Sequence, residues 1–188
     1  MRRAGYVLSG GESRRMGRDK ALLVYRGVPM AAWVAARVEE AAGTASLVGG
    51  GEKYVHLGYP VLEEEFAGCG PLSGIEAAVR LGGAEWSLVV ACDMAGVRAG
   101  WLAELLEAAE KSGRRAVCAC GEDGRMEPLC AVYHEDCLPA VREMLAAGEY
   151  RAAELLNKIN ALAWRAGWAE ELRNLNSPAD WERVKDEG

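Results

Sequence analysis

Between Trp86 and Cys92 the chain reads WSLVVAC, apolar at every position but Ser87, and it then meets Asp93. A strand with one dry face alternates apolar and polar residues, whereas one that is apolar throughout must be covered on both faces. The run therefore predicts a central strand of a parallel sheet with helices on either side. The rest of the chain agrees with that requirement. Tyr6–Leu8 predicts the first strand, and Trp33, Val34, Ala36, Val38 and Ala41 recur at helical spacing across Pro29–Ala42, closed by Gly43. Further strands are predicted at Ala45–Val48, Pro60–Leu62, Ala116–Cys120, Leu129–Tyr133 and Ala161–Arg165. Helices are predicted at about Leu72–Leu81, Trp101–Ala109, 137–147, 151–157 and Pro178–Val184, with a polar hairpin-like turn over Gly121–Met126 leading into the Leu129–Tyr133 strand. Strand and helix alternate for most of the length, which gives an α/β sandwich with a mainly parallel sheet. With 188 residues and no linker, repeat or low-complexity segment, residues 1–188 are expected to form one domain.

Parallel sheets of this kind bind ligands beyond the carboxyl ends of their strands, where the strand order reverses. Two such ends carry suggestive residues. After Leu8 come Ser9, Gly10 and Gly11, then a basic loop holding Arg14, Arg15, Arg18 and Lys20. Paired glycines let a ligand approach the backbone, and the cations that follow suit phosphate oxygens. The spacing matches neither the Walker loop, which needs Gly-Lys-Ser/Thr, nor the G-x-G-x-x-G dinucleotide fingerprint. Taken by itself, a Gly-Gly with arginines nearby is more often a solvated surface loop than a phosphate cradle. Asp93 ends the dry strand, where a carboxylate suits either Mg²⁺ coordination or the N-cap of the next element.

The full pattern L-S-G-G-x-x-x-R-M-G-x-D-K, from Leu8 to Lys20, resembles the signature of nucleotidyltransferases that use a nucleoside triphosphate as donor. Within that superfamily it is most similar to the molybdenum cofactor guanylyltransferase family, with Ser9 where Ala is usual. Three more segments resemble family motifs in the same order. Cys92-Asp93-Met94 resembles C-D-M-P, with Ala95 in place of Pro. Gly68-x-Gly70-Pro71-Leu72-x-Gly74 resembles the nucleotide-pocket element, and Asn174-Leu175-Asn176-Ser177-Pro178 resembles N-x-N-T-P.

The resemblance implies a three-layer, Rossmann-like fold of the nucleotide-diphospho-sugar transferase type. It implies transfer of GMP from GTP to molybdopterin, with pyrophosphate released and Mg²⁺ as cofactor. By resemblance, Lys20, Arg15 and Asp93 are catalytic, and Asp93 holds the metal. Leu8, Ser9, Gly10, Gly11, Lys20, Glu64, Gly70, Pro71, Gly74 and Asp93 contact the nucleotide, and Asn176 the acceptor side. Glu64 stands where the family has Asp, and Gly49 or Gly50 where it often has Asn. Two alternatives stay open at this point. One is another base or acceptor, as in CTP:molybdopterin or sugar-phosphate nucleotidyl transfer. The other is a non-catalytic nucleotide-binding partner in molybdoenzyme assembly. The implied partners are GTP and molybdopterin, with transient contact to molybdoenzymes or cofactor-biosynthesis proteins.

Composition narrows the remaining classes. A net charge of −6 argues against a nucleic-acid footprint, so a polyanionic ligand must be met by a local basic site. No apolar run approaches the roughly 20 residues of a membrane span, and no leader pattern opens the chain, which predicts a cytoplasmic protein. The six cysteines lack a secreted-scaffold spacing and are expected as free thiols, with Cys92, Cys118, Cys120 and Cys130 in buried strands. Cys118 and Cys120 share a strand face, but no second pair supports a metal–thiolate site. His56 and His134 are isolated and read as structural or solvated, and Glu127-Pro128-Leu129 is a weak match to a family segment near the pterin side.

Overall fold

A computed structural model of the chain describes residues 1–10 and 19–165. The chain runs β1 (Arg3–Leu8), the hairpin strands β2 (Val24–Tyr25) and β3 (Val28–Pro29), α1 (Met30–Ala42), β4 (Ala45–Val48) and β5 (Val61–Leu62). It continues through α2 (Pro71–Leu81), β6 (Trp86–Ala91), α3 (Ala99–Ser112), β7 (Ala116–Cys120), β8 (Met126–His134), α4 (Leu138–Ala146), α5 (Ala152–Lys158) and β9 (Leu162–Trp164). Seven strands form one sheet in the order β5-β4-β1-β6-β8-β7-β9. Only β8 is antiparallel to its neighbours β6 and β7; the other pairings are parallel.

Each central strand divides its side chains between two apolar layers. Val7, Leu88 and Val90 join α1 and α3 on one face. Tyr6, Leu8 and Val89 join α2, α4 and α5 on the other. β6 is buried at all six positions, as a strand covered by helices on both sides must be. The expected three-layer α/β sandwich with a mainly parallel sheet is the observed fold. From β1 the chain crosses to β4 on one side, and the later crossover through α2 delivers β6 to the other. The order therefore reverses between β1 and β6, and a crevice opens beyond their carboxyl ends.

Several boundaries shift by a residue or more. Pro29 lies just outside α1 rather than in its first turn, because it pairs with Val24 in the small hairpin. That hairpin turns through Arg26 and Gly27, both left-handed, and its two-residue strands are too short to show alternation. β8 begins at Met126, so part of the predicted turn is already strand. Cys92 falls one residue beyond β6 and is only partly buried, whereas Cys137, not expected in the core, is fully buried. The helix predicted at Pro178–Val184 lies outside the described residues. Among the described residues no helix is long and apolar enough to cross a membrane.

One glycine fixes how α1 lies on the sheet. A Cβ on Gly5 would stand 2.2 Å from Val38 Cγ1 and 2.6 Å from the Thr44 carbonyl oxygen, so the helix approaches β1 as closely as bare backbone allows. Gly5→Ala is expected to lower unfolding free energy by about 1–3 kcal/mol through overpacking. Urea denaturation monitored by circular dichroism checks this, with the native spectrum retained in the absence of denaturant.

Candidate active site

The last backbone bond between β1 and β6 is made by the Cys92 amide, which donates to the Leu8 carbonyl at 3.1 Å. Beyond it the two chains part. The amides of Ser9 and Gly10 both donate to the Val48 carbonyl at 3.0 Å, and the Ser9 hydroxyl adds a third bond to the same oxygen at 3.1 Å. The turn after β1 is thus anchored to β4 and leans away from β6. Asp93 stands on the other bank.

Lys20 closes the gap from the far end of the glycine turn. Its Nζ donates to Asp93 Oδ2 at 3.1 Å, and the two side chains are 17% and 16% exposed. Asp19 makes this placement possible. Its carboxylate caps a short 3₁₀ turn, Lys20–Leu22, by accepting from the Ala21 amide at 3.1 Å. It also accepts from Lys53 Nζ at 2.6 Å and from the Tyr54 hydroxyl at 2.9 Å. Tyr54 is buried, with its hydroxyl 3.1 Å from the Ser9 carbonyl oxygen as well. It has a single proton to donate, and the charged carboxylate is the stronger acceptor. Burial and the neighbouring Asp19 push the Tyr54 pKa up, so the phenol stays protonated. Lys20 therefore leaves a turn held at Asp19, with Tyr54 reaching back to the end of β1.

A carboxylate sits on the β4 side of the crevice in a notch made of glycines. A Cβ on Gly10 would meet Gly49 Cα at 3.0 Å and Glu64 Oε2 at 3.3 Å. A Cβ on Gly49, whose φ is +81°, would meet Gly10 Cα at 2.8 Å and Glu64 Oε2 at 3.0 Å. On the third side, a Cβ on Gly74 would lie 3.5 Å from Glu64 Oε1 and 2.9 Å from Leu8 Cδ2. Glu64 is thus not part of a solvated acidic run. Burial raises its pKa, and the neighbouring Ser73 hydroxyl offsets part of the rise. Ser73 itself is buried, with no partner in hydrogen-bond geometry among the described residues.

Gly70 precedes α2 with φ +67°, a conformation that suits glycine, and Pro71 opens the helix at a position where its missing N–H costs nothing. Their helix N-terminus lies at the same end of the sheet. On the β8 side, Glu127 is half-buried with its pKa raised, first by burial and further by the nearby Asp93 charge. Cys92 is not a nucleophile in this setting, because burial lifts its thiol to about 12.

Contacts thus connect Leu8, Ser9, Gly10, Lys20, Glu64, Gly74 and Asp93 from the residues singled out in the sequence, whereas Gly70 and Pro71 stand at the head of α2 with Tyr150 as the neighbour of Gly70. Gly11, Arg15 and Asn176 lie outside the described residues. Lys53 and Tyr54 escaped the sequence reading, and Asp19 stood in the Leu8–Lys20 pattern without a role assigned to it. The signal for Asp19 was its place beside Lys20 at the head of a short helix. Tyr54 carried only the adjacency to Gly50, whose missing Cβ would lie 2.1 Å from its ring.

The family of MobA-like NTP transferase domains matches residues 5–175. A probable molybdenum cofactor guanylyltransferase of Opitutus terrae is 37% identical over 196 residues, covering 97% of this chain and 94% of the relative. A molybdenum cofactor guanylyltransferase of Cereibacter sphaeroides is also 37% identical, covering 98% and 96%. Among solved structures, the molybdopterin-guanine dinucleotide biosynthesis protein A of Archaeoglobus fulgidus superposes with a TM-score of 0.81 at 25% identity, covering 97% of each chain.

The Asp19 contacts predict a graded response. Asp19→Ala removes a cap and breaks three bonds, and is expected to cost about 1–2 kcal/mol. Tyr54→Phe leaves the cap in place and is expected to cost about 0.5–1.5 kcal/mol. The double variant should cost less than the sum, as measured by urea denaturation, because the two changes remove one shared bond.

Proposed function

This chain belongs to the MobA-like NTP transferase family, and on that premise we propose that it transfers GMP from GTP to molybdopterin, with the whole chain acting as one catalytic domain. The observation that carries the reading is the Lys20–Asp93 pair, held across the crevice between β1 and β6 at the point where the strand order reverses. It is a nucleotidyltransferase reaction without a covalent enzyme intermediate. An oxygen of the pterin's terminal phosphate attacks the α-phosphorus of GTP in line. The bond from that phosphorus to the α–β bridging oxygen breaks, and pyrophosphate leaves. The product is molybdopterin guanine dinucleotide.

Mg²⁺ fits this crevice by donor chemistry, since it takes one or two carboxylates and completes its shell with phosphate oxygens and water. Asp93 would hold it. When bound, the ion polarises the phosphoryl oxygens and offsets charge on the departing pyrophosphate. The chain's own residues do the positioning. Gly10 and Gly11 admit the phosphates close to the backbone. Lys20 neutralises them from the side opposite Asp93's strand, and Arg15 assists as a forked cation. Gly70, Pro71 and Gly74 shape the nucleoside pocket, and Glu64 faces the base. Guanine presents N1–H and N2–H donors side by side, which a carboxylate accepts as a pair. Leu8 and Ser9 shape the entry to the phosphate turn, and Asn176 serves the acceptor side. Such a reaction belongs in the cytoplasm, with product passed on through transient contact with molybdoenzymes or cofactor-biosynthesis proteins.

Pyrophosphate release with Mg²⁺ and molybdopterin, compared between GTP and CTP, tests this reading. Release with GTP and little with CTP is expected; preference for CTP would keep the mechanism and reverse the base assignment. Asp93→Ala and Lys20→Ala should fold normally and lose about 10²–10³-fold in kcat, the usual scale for removing one electrostatic stabiliser of a transition state.

A further inference from the structure

Glu76 is a carboxylate on α2 with no exposed surface, and it is held by two guanidiniums. Arg80 Nε, one turn along the same helix, donates to both its oxygens at 2.9 and 3.1 Å. Arg142, from α4, donates to Oε1 through Nε at 3.0 Å and lies 2.9 Å away through Nη2. That same Nη2 reaches Glu65 Oε2 at 3.1 Å, and Arg80 Nε approaches the same Glu65 oxygen at 3.4 Å. Two acids and two bases therefore join α2 and α4 to the segment after β5. Glu65 adjoins Glu64, whose carboxylate lies in the glycine notch.

We propose that Arg142 is a positioning residue for nucleobase selection, acting through Glu65 to fix the segment that presents Glu64 to the base. It rests on the reading of Glu64 as the group that faces the nucleobase. Three observations support it. The notch tolerates little displacement, because Glu64 lies close to Gly10, Gly49 and Gly74 at once. Glu64 resists burial of its charge and has the like charge of Glu63 beside it, so its ionised form needs to be held in place. The quartet is the tie that reaches this segment from the outer helix, and Arg142 is its member from α4. The base-facing carboxylate would thus depend on a residue far along the chain and outside the crevice.

Arg142→Met isolates this role. Glu76 keeps Arg80 at 2.9 and 3.1 Å, so no buried carboxylate is left unpaired, while Glu65 keeps only the longer approach of Arg80. The Arg142 side chain is 44% exposed, so its loss opens no core cavity. The experiment is calorimetric binding of GTP and of ITP, which lacks the 2-amino group, to the full chain with Mg²⁺. Wild type, Glu64→Gln, Arg142→Met and the double variant are compared. The expected result is a GTP:ITP preference in wild type that Glu64→Gln abolishes. Arg142→Met should reduce that preference about fivefold or more, and the double variant should match Glu64→Gln alone. Arg142→Met with the wild-type preference overturns the proposal, even if melting temperature falls, since loss of helix packing alone would weaken both nucleotides equally. A preference unmoved by Glu64→Gln overturns the base-facing reading as well, and the proposal with it. Guanylyl transfer is judged separately by pyrophosphate release, so failure of either leaves a different pattern.

Discussion

The parallel pairing of β1 with β6 is the constraint on which the site depends. Leu8 is in register with Ala91, and the Cys92 amide closes the ladder on the Leu8 carbonyl. Ser9 and Cys92 therefore leave the sheet at the same level and on adjacent strands, and Asp93 follows one residue beyond. A slip of one residue would exchange the faces of every side chain on the strand and bring charged or small residues into the wrong layer. Burial of both strands on both faces makes such a slip expensive. The apolar character of β6 is thus what fixes the position of the carboxylate at its end.

Close backbone approach is the second constraint, and it is local. Gly10 and Gly49 come together where β1 and β4 end, and neither could carry a side chain without displacing the other or Glu64. Gly74 performs the same service where α2 crosses Leu8. These absences of Cβ make room for one carboxylate and set its direction. The same principle holds Gly50 against the Tyr54 ring, and Tyr54 in turn reaches Asp19 and the turn that bears Lys20. Glycine in this protein places polar groups by letting backbones touch.

The layered fold was legible because its signals are long and redundant. An apolar strand such as Trp86–Ala91 needs two covers whatever surrounds it, and α1 and α2 repeat their apolar positions over several turns. Ala45–Val48 and Ala116–Cys120 are observed with the bounds read from the sequence. The β2–β3 hairpin was not legible, since two-residue strands carry no periodicity. The reversal of β8 was marked only by the hairpin-like turn before it, because an apolar strand does not itself record its direction. In the site, the phosphate turn, Asp93 and the α2 loop were marked by spacing and by resemblance to a family. Glu64 was separated from Glu63 and Glu65 by resemblance alone, and its packing against three glycines supplies the physical distinction. Asp19 was marked by the pattern but its role was not legible, because its contacts with Lys53 and Tyr54 lie more than thirty residues away in sequence.

Charge placement reconciles an acidic protein with a polyanionic substrate. In the described structure two pairs of opposite charge flank the crevice: Lys20 with Asp93, and Lys53 with Asp19. A lysine left alone in this half-buried position would lose part of its hydration without return, and an unpaired Asp93 at the end of a dry strand would lose more. Pairing them removes both costs in the resting protein. In the proposed reaction a nucleotide arriving with its cation would exchange partners, phosphate taking the place of Asp93 at Lys20 and the cation that of Lys20 at Asp93. The number of opposed charges is conserved through that exchange, so binding need not create buried charge. Asp19 must stay out of it, and its engagement by Lys53, Tyr54 and the Ala21 amide keeps it from competing for Lys20. Two neighbouring residues of opposite sign, Asp19 and Lys20, would thus divide the work in the proposed reaction: one is bound to the fold, and the other would be released to the substrate.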